Sequence, residues 1–528
     1  MTVHGLAGAR AFHRGAAGAP RREPARTSVA TPFSSSGFVS VLLSTVISMG
    51  FLATSPQFAH WFIIPVTVCG ILIGIDAVAW LFGRTDVFDP VGIIGLLGFH
   101  IFFLAPLLHV SWDYWMGYVV GPVDWRPWLG WMAALNAIGL LCYQFTRRVL
   151  SSRRRQSART EWRTVPGRFY IVVTAALLAT AALQVWVYAQ HGGVLAYIDE
   201  ATSPERFNEE SSFAGTGWIL TLSESFPILA MIGFAVYARE RSHARHWAVL
   251  GPTLVLFVAL QLLFGGLRGS RSNTIWGLFW AVGIVHVWIR PVRRGTICVG
   301  LVGMMLFMYL YGFFKDAGLD ALRAFESGSN RAELEDRTQR NFETLILGDL
   351  GRSDVQALVL SRLMESGREY QYALGRTYLG TLAILIPASI WPDRPLTKVL
   401  EGTELQYGNG TYVPYGPNRL VSLNVYGLAG ETMLNFGPVA IPIAFVVFGC
   451  IVEWTRRRTL AWSSRDVRQL LVPYLVNLCF QVLVNDSDII LFFIIKSGFA
   501  PLALLFLTSQ VSDVRHHAVN RQPAGRRC

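Results

Sequence analysis

The chain has 528 residues, 52% of them hydrophobic and only 15% charged, where an ordinary soluble domain carries about 25% charged. Mean hydropathy is positive, at +0.40. This excludes a single soluble domain, and it excludes a disordered chain, which needs low hydrophobicity and high charge. The apolar residues fall in stretches of about 20 with short charged breaks, the length that a hydrocarbon core of about 30 Å selects. A net charge of +12 would suggest nucleic acid in a soluble protein. Here its placement points to membrane topology and anionic lipid, and no nucleic-acid partner is expected.

In chain order, residues 1–36 carry Arg10, Arg14, Arg21, Arg22 and Arg26 without apolar periodicity and read as a disordered cytoplasmic arm. A signal peptide is disfavoured, because the following apolar run is long enough to span. Spans are then predicted over 37–55, 60–82, 90–111, 127–146, 169–190, 217–238, 247–267, 273–289 and 295–314, and again over 433–454, 469–485 and 489–508. The expected fold is an all-α polytopic membrane protein of about 12 transmembrane helices. The membrane domain comprises residues 37–314 and 422–508, and a tail follows over 509–528.

Arginine placement tests that count. Only Lys315, Lys398 and Lys496 are lysines, which leaves 43 arginines. With the N-terminus inside, 29 arginines lie in the inner segments and 4 in the short outer loops, the bias that cytoplasmic loops show. Both termini are therefore expected in the cytoplasm. The connection 315–421 is long and near neutral, and it belongs outside. Within it, 319–326, 331–347 and 352–366 have helical apolar spacing. Residues 377–391 are apolar but too short to span, and end in Trp391-Pro392-Asp393-Arg394-Pro395. They read as a re-entrant or interfacial segment.

Several residues suggest chemistry. Asp76, Glu224 and Lys496 are ionisable groups in apolar segments, where mutual pairing is the plain reading. Glu453, beside Trp454 and Arg456 at a span end, reads as snorkelling. Arg268 and Arg271 sit in the tight hairpin Gly265–Asn273, against the inside rule. Guanidinium forks and a helix N-terminus suit a diphosphate there. Glu431 and Asn435 share a helix face, and a half-buried Glu431 is a candidate general base. Asp486 and Asp488 form an Asp-x-Asp turn that would serve as a metal site in an alternative reading; no metal or other cofactor is otherwise expected. The six cysteines form no disulfide framework.

This order of features resembles the bacterial oligosaccharide repeat-unit polymerases of the O-antigen polymerase (Wzy) type. The likeness rests on Gly269-Ser270-Arg271 after a span, the late outer loop, Pro387 with Trp391–Pro395, and Gly430-Glu431-Thr432-Met433-Leu434-Asn435-Phe436-Gly437 opening the next span. It covers roughly residues 37–508. The resemblance implies a glycosyltransferase of the bacterial cytoplasmic membrane. It would move a glycan from undecaprenyl diphosphate onto a sugar hydroxyl of the next lipid-linked unit, on the outer face, in surface or exopolysaccharide synthesis. Flippase and chain-length regulator proteins of the same pathway are implied partners. Arg268 and Arg271, with Arg206, Arg394 and Arg419, would hold diphosphate. Glu431, then His191 or Asp486, would be the base, and Asn435, Tyr407, Tyr412 and Tyr415 would contact glycan. A lipid-linked-glycan flippase and an O-antigen ligase or lipid-sugar glycosyltransferase are the alternatives.

Overall fold

Inside a hydrocarbon layer every backbone N–H and C=O must be paired within the segment, so the apolar stretches can only be helices. The computed structural model describes residues 34–152, 160–202, 217–267, 271–318, 321, 327–338, 340–365, 370–387, 390–414 and 419–513. Twelve of its helices are long and apolar enough to cross a membrane. Nine come first: α1 (Ser35–Thr54), α2 (Ile63–Leu81), α3 (Pro90–Trp112), α4 (Arg126–Ser151), α5 (Pro166–Gln190), α6 (Gly217–Glu240), α7 (Trp247–Gly266), α8 (Ser272–Ile289) and α9 (Arg294–Lys315). The long connection then supplies α10 (Gly328–Thr338), α11 (Ser353–Met364), α12 (Arg376–Ala383), α13 (Lys398–Tyr407) and α14 (Gly427–Phe436). The last three spans are α15 (Pro438–Ala461), α16 (Val467–Val484) and α17 (Ser487–Thr508). The chain is an all-α polytopic membrane protein.

Two expectations need correction. The tenth span does not begin at residue 433. Gly437, at φ +81°, ends α14, and Pro438 restarts the chain as α15, because a glycine outside the right-handed region followed by proline stops a helix. Glu431 therefore lies on a separate short helix and not at the mouth of a span. Glu453 does not snorkel either. It is 2% exposed and its Oε1 accepts from Arg457 at 3.2 Å. Of residues 377–391, those up to Ala383 belong to the short helix α12 and 384–386 turn after it, where Arg394 donates to the carbonyls of Ala383 and Ile386; 388–389 lie outside the described residues. The arm 1–33 and most of 319–326 lie outside the described residues.

Packing in the first half follows from small residues. Ser40, Ser44 and Ser48 recur every fourth position on the buried face of α1, opposite Gly70 and Gly74 of α2. A Cβ on Gly74 would sit 2.4 Å from the Ser40 hydroxyl, so the two backbones approach as small-residue seams allow. The Ser40 hydroxyl donates to the Ile71 carbonyl at 2.8 Å. The other face of α1 leaves Phe38, Val46 and Met49 exposed, as a lipid-facing surface requires. Buried ion pairs lock the bundle deeper in. Arg147 pairs with Asp76 at 2.6 Å, and Arg456 with Asp89 at 2.9 Å.

The connections sort onto two faces. The Arg239 guanidinium donates to the Ser464 carbonyl, Arg468 to that of Thr160, and His286 meets Asp86. The strand β1 (Thr160–Thr164), after α4, pairs antiparallel with β2 (Ser509–Asp513), after α17. All these segments therefore share one face, here the terminal face, and each is one that the arginine count placed together. The opposite, loop face carries the described parts of the 316–426 connection.

Candidate functional site

A cavity of about 1530 Å³ runs between α3, α8, α9, α16 and α17. Towards the terminal face its wall is apolar: Val87, Phe88, Phe279, Val282, Val285 and Val292. At the loop face it becomes polar and charged, lined by Arg340, Asp349, Arg352, Asp354, Asn424 and Asn485. The loop connection supplies most of this mouth. Thr344–Asp349 is a π-helical turn, and Arg352 and Asp354 stand at the start of α11. From Val355 onward that helix is mostly apolar and buried, which fixes the charges at its open end.

The mouth is built from fixed charges. The Arg352 guanidinium donates to the carbonyls of Val484 (3.2 Å) and Asp349 (3.1 Å). Burial draws its pKa below the ordinary guanidinium range, while the Asp486, Asp354 and Asp349 charges oppose that. Arg340 meets Asp349 at 3.4 Å. Asp354, only 3% exposed, accepts the Val355 N–H at 2.8 Å. Its Oδ1 lies 3.9 Å from Nε2 of the fully buried His109, whose Nδ1 bonds the Tyr114 carbonyl at 2.6 Å. A carbonyl only accepts, so Nδ1 carries a proton and Nε2 faces the carboxylate. The Tyr118 hydroxyl donates to Asn424 at 2.5 Å. Together these groups offer cations for an anion, a carboxylate for a proton, and amides and phenols for hydroxyls.

Glu431 and Asn435 lie apart from this cavity. Glu431 is 4% exposed and its acceptors are taken. Oε2 receives the Ser487 N–H at 2.7 Å, and Oε1 receives the Ser487 and Thr377 hydroxyls at 2.6 and 2.9 Å. Asn435 donates to Thr377 Oγ1 and to the Glu431 carbonyl, both at 2.8 Å. Burial, then the Asp486 charge, pushes the Glu431 carboxyl up to about 7. Asp486 is fully buried, paired with Lys398, and accepts the N–H groups of Tyr426 and Gly427. Lys398 Nζ is also 3.7 Å from Asp488, so an ammonium occupies the place between the two carboxylates that a metal would need. These residues staple α12, α13 and α14 to the turn between α16 and α17. Glu431 and Asp486 act there as structural acceptors rather than as a base open to substrate.

The remaining candidates scatter. His191 is paired with Glu200 at 2.7 Å. Arg394 caps the end of α12, and Arg419 donates to the Pro414 carbonyl at 3.2 Å. Tyr407 is exposed and Tyr412 half-buried; neither lines the cavity. Arg206, Arg268 and Tyr415 lie outside the described residues, as does the Arg271 side chain. Of the Gly265–Asn273 hairpin, Ser272 and Asn273 line the cavity where α8 begins. The plain pairing of intramembrane charges holds for Glu224 with Lys496, but Asp76 takes Arg147. Sequence reasoning missed Arg340, Arg352 and Asp354. The signal for Arg352 and Asp354 was an Arg-Ser-Asp charge cluster opening an otherwise apolar helix; Arg340 had none.

No family model matches the chain, and no curated protein or solved structure is significantly similar to it.

Proposed function

We propose that the chain polymerises lipid-linked oligosaccharide repeat units at the loop face of a bacterial cytoplasmic membrane. The observation that carries this reading is the continuity of one cavity, apolar towards the terminal face and ringed at its mouth by Arg340, Arg352 and Asp354. A polyprenyl tail suits the apolar length. The departing diphosphate suits paired guanidinium groups, which bind phosphate oxygens bidentately. A sugar hydroxyl of the second unit attacks the anomeric carbon. The bond from that carbon to the diphosphate oxygen breaks, its electron pair leaves with the diphosphate, and Asp354 takes the hydroxyl proton. His109 faces Asp354 from behind, with Nε2 3.9 Å from its Oδ1.

A lipid-linked-glycan transporter would use the same space. The apolar wall at Val87, Phe88, Val285 and Val292 offers a glycan no hydrogen bonds on the way through, which weighs against it. A ligase differs only in acceptor. The test is purified protein with lipid-linked repeat units, read as a glycan ladder. Asp354→Asn loses about 10²–10⁴-fold in rate, the usual worth of a general base, and Arg352→Lys loses activity with its charge kept. A single transfer to an unrelated acceptor with no ladder would make the chain a ligase. Full activity in both variants would remove the site.

A further inference from the structure

A second charged feature opens on the same cavity, deeper than the mouth. Lys496, 8% exposed, lies midway along α17 in a π-helical turn, Ile494–Gly498. It pairs with Glu224 of α6. Its surroundings are polar where hydrocarbon would be expected. The Asn273 amide donates to Glu224 Oε2 at 3.1 Å, and Ser225, Gln261 and Ser497 join these residues around a side pocket of about 50 Å³. A second π-helical turn, Leu262–Gly266, brings Gly265 against Glu224, where a Cβ would sit 3.2 Å from the carboxyl carbon. Two of the helices around this pair, α17 and α7, thus depart from regular geometry beside it, a frequent mark of function.

The two charges are not equivalent. Lys496, Ser272 and Asn273 line the large cavity, whereas Glu224 lines only the side pocket behind them. Lys496 lines that side pocket too, and its ammonium is buried against the Glu224 carboxylate, so a ligand in the large cavity meets it by displacing that carboxylate. The first turn of α8 adds N–H groups and the positive end of its dipole to the same wall. Phe279, Phe492 and Phe493 supply apolar lining to the same cavity, so a small free anion would leave that space unfilled.

We infer that Lys496, Asn273 and the start of α8 form an intramembrane site for the phosphate group of a single amphiphile, with Glu224 as the counter-ion it displaces. The tail of that amphiphile lies in the apolar part of the cavity. This goes beyond the glycosyl-transfer reading, and binding is measured without turnover, so either can fail alone. Replacing one member of a buried ion pair strands the other, while removing both charges is mild; the neutral double variant therefore controls for folding.

Purified full-length protein is titrated with a polyprenyl monophosphate and followed by native mass spectrometry, with phosphatidylglycerol and inorganic phosphate as separate arms. Saturable binding of one polyprenyl phosphate is expected, about tenfold weaker in Lys496→Gln and in Glu224→Gln/Lys496→Gln. In Glu224→Gln, where the competing carboxylate is gone, binding tightens. Equal competition by phosphatidylglycerol supports the site and makes bilayer lipid a source of its ligand. Binding of inorganic phosphate as tight as the lipid's overturns the amphiphile. Unchanged affinity in all Lys496 and Glu224 variants, with loss only in Arg352→Gln, overturns the site.

Discussion

At the scale of single residues, Glu431 shows how a strong sequence signal and a structural role separate. Its carboxyl is held at about 7 by burial and by Asp486, while in the unfolded chain it titrates near 4.3. The folded state therefore keeps a proton that the unfolded state releases. Stability from this group is full below the unfolded value and is lost as pH rises through about 7. Glu431→Gln cannot titrate, and its amide can accept from the Ser487 N–H while donating to the two hydroxyls. Thermal unfolding in detergent from pH 5 to 8 should fall more steeply for the wild type than for Glu431→Gln, and the variant should still build a glycan ladder. Parallel unfolding profiles would show that Glu431 does not titrate as described. The carboxylate and its partner Asn435 were legible as a helical pair. The three donors that fill Glu431 come from Thr377 and Ser487, far away in sequence, and no local pattern announces them. His109 was invisible for the same reason, since its partner Asp354 lies across a long loop.

At the scale of elements, spans were read to within a few residues because the hydrocarbon thickness fixes their length, as with α7 and α8. The failure at α14 and α15 has a plain cause. The apolar run through 433–454 was followed as one helix, although Gly437-Pro438 stood within it. Charged pairs between spans were less legible. Arg147 was counted with a cytoplasmic segment, yet its guanidinium is buried against Asp76. Asp89 does two jobs: it caps α3 through the Val91 N–H at 3.0 Å, and it neutralises Arg456 of α15. Asp89→Asn keeps the cap and leaves the buried guanidinium only the Glu453 carboxylate, 3.9 Å away, an expected loss of up to about 3–5 kcal/mol. Asp89→Asn/Arg456→Met should recover most of it, as read from the melting temperature of the purified protein. A double variant no more stable than Asp89→Asn would argue that the pair is not what joins α3 to α15.

At the scale of the whole molecule, the arginine bias and the bonds between connections agree on which segments share a face, and orientation is the remaining expectation. In a background without native cysteines, of which Cys450 is exposed, Asn409→Cys should react with an impermeant reagent in intact cells and Ser464→Cys should not. Reaction at Ser464→Cys alone would turn the cavity mouth to the cytoplasm. The ribbon of β1 and β2 bears on how such a chain is made. Thr160–Thr164 leaves the ribosome early, and its partner Ser509–Asp513 is the last described segment to follow. Until then the edge of β1 has no strand beside it. The ribbon closes only once α17 is in the bilayer, so the pairing of β1 waits on that helix while the Arg239–Ser464 and Arg468–Thr160 contacts need no part of it.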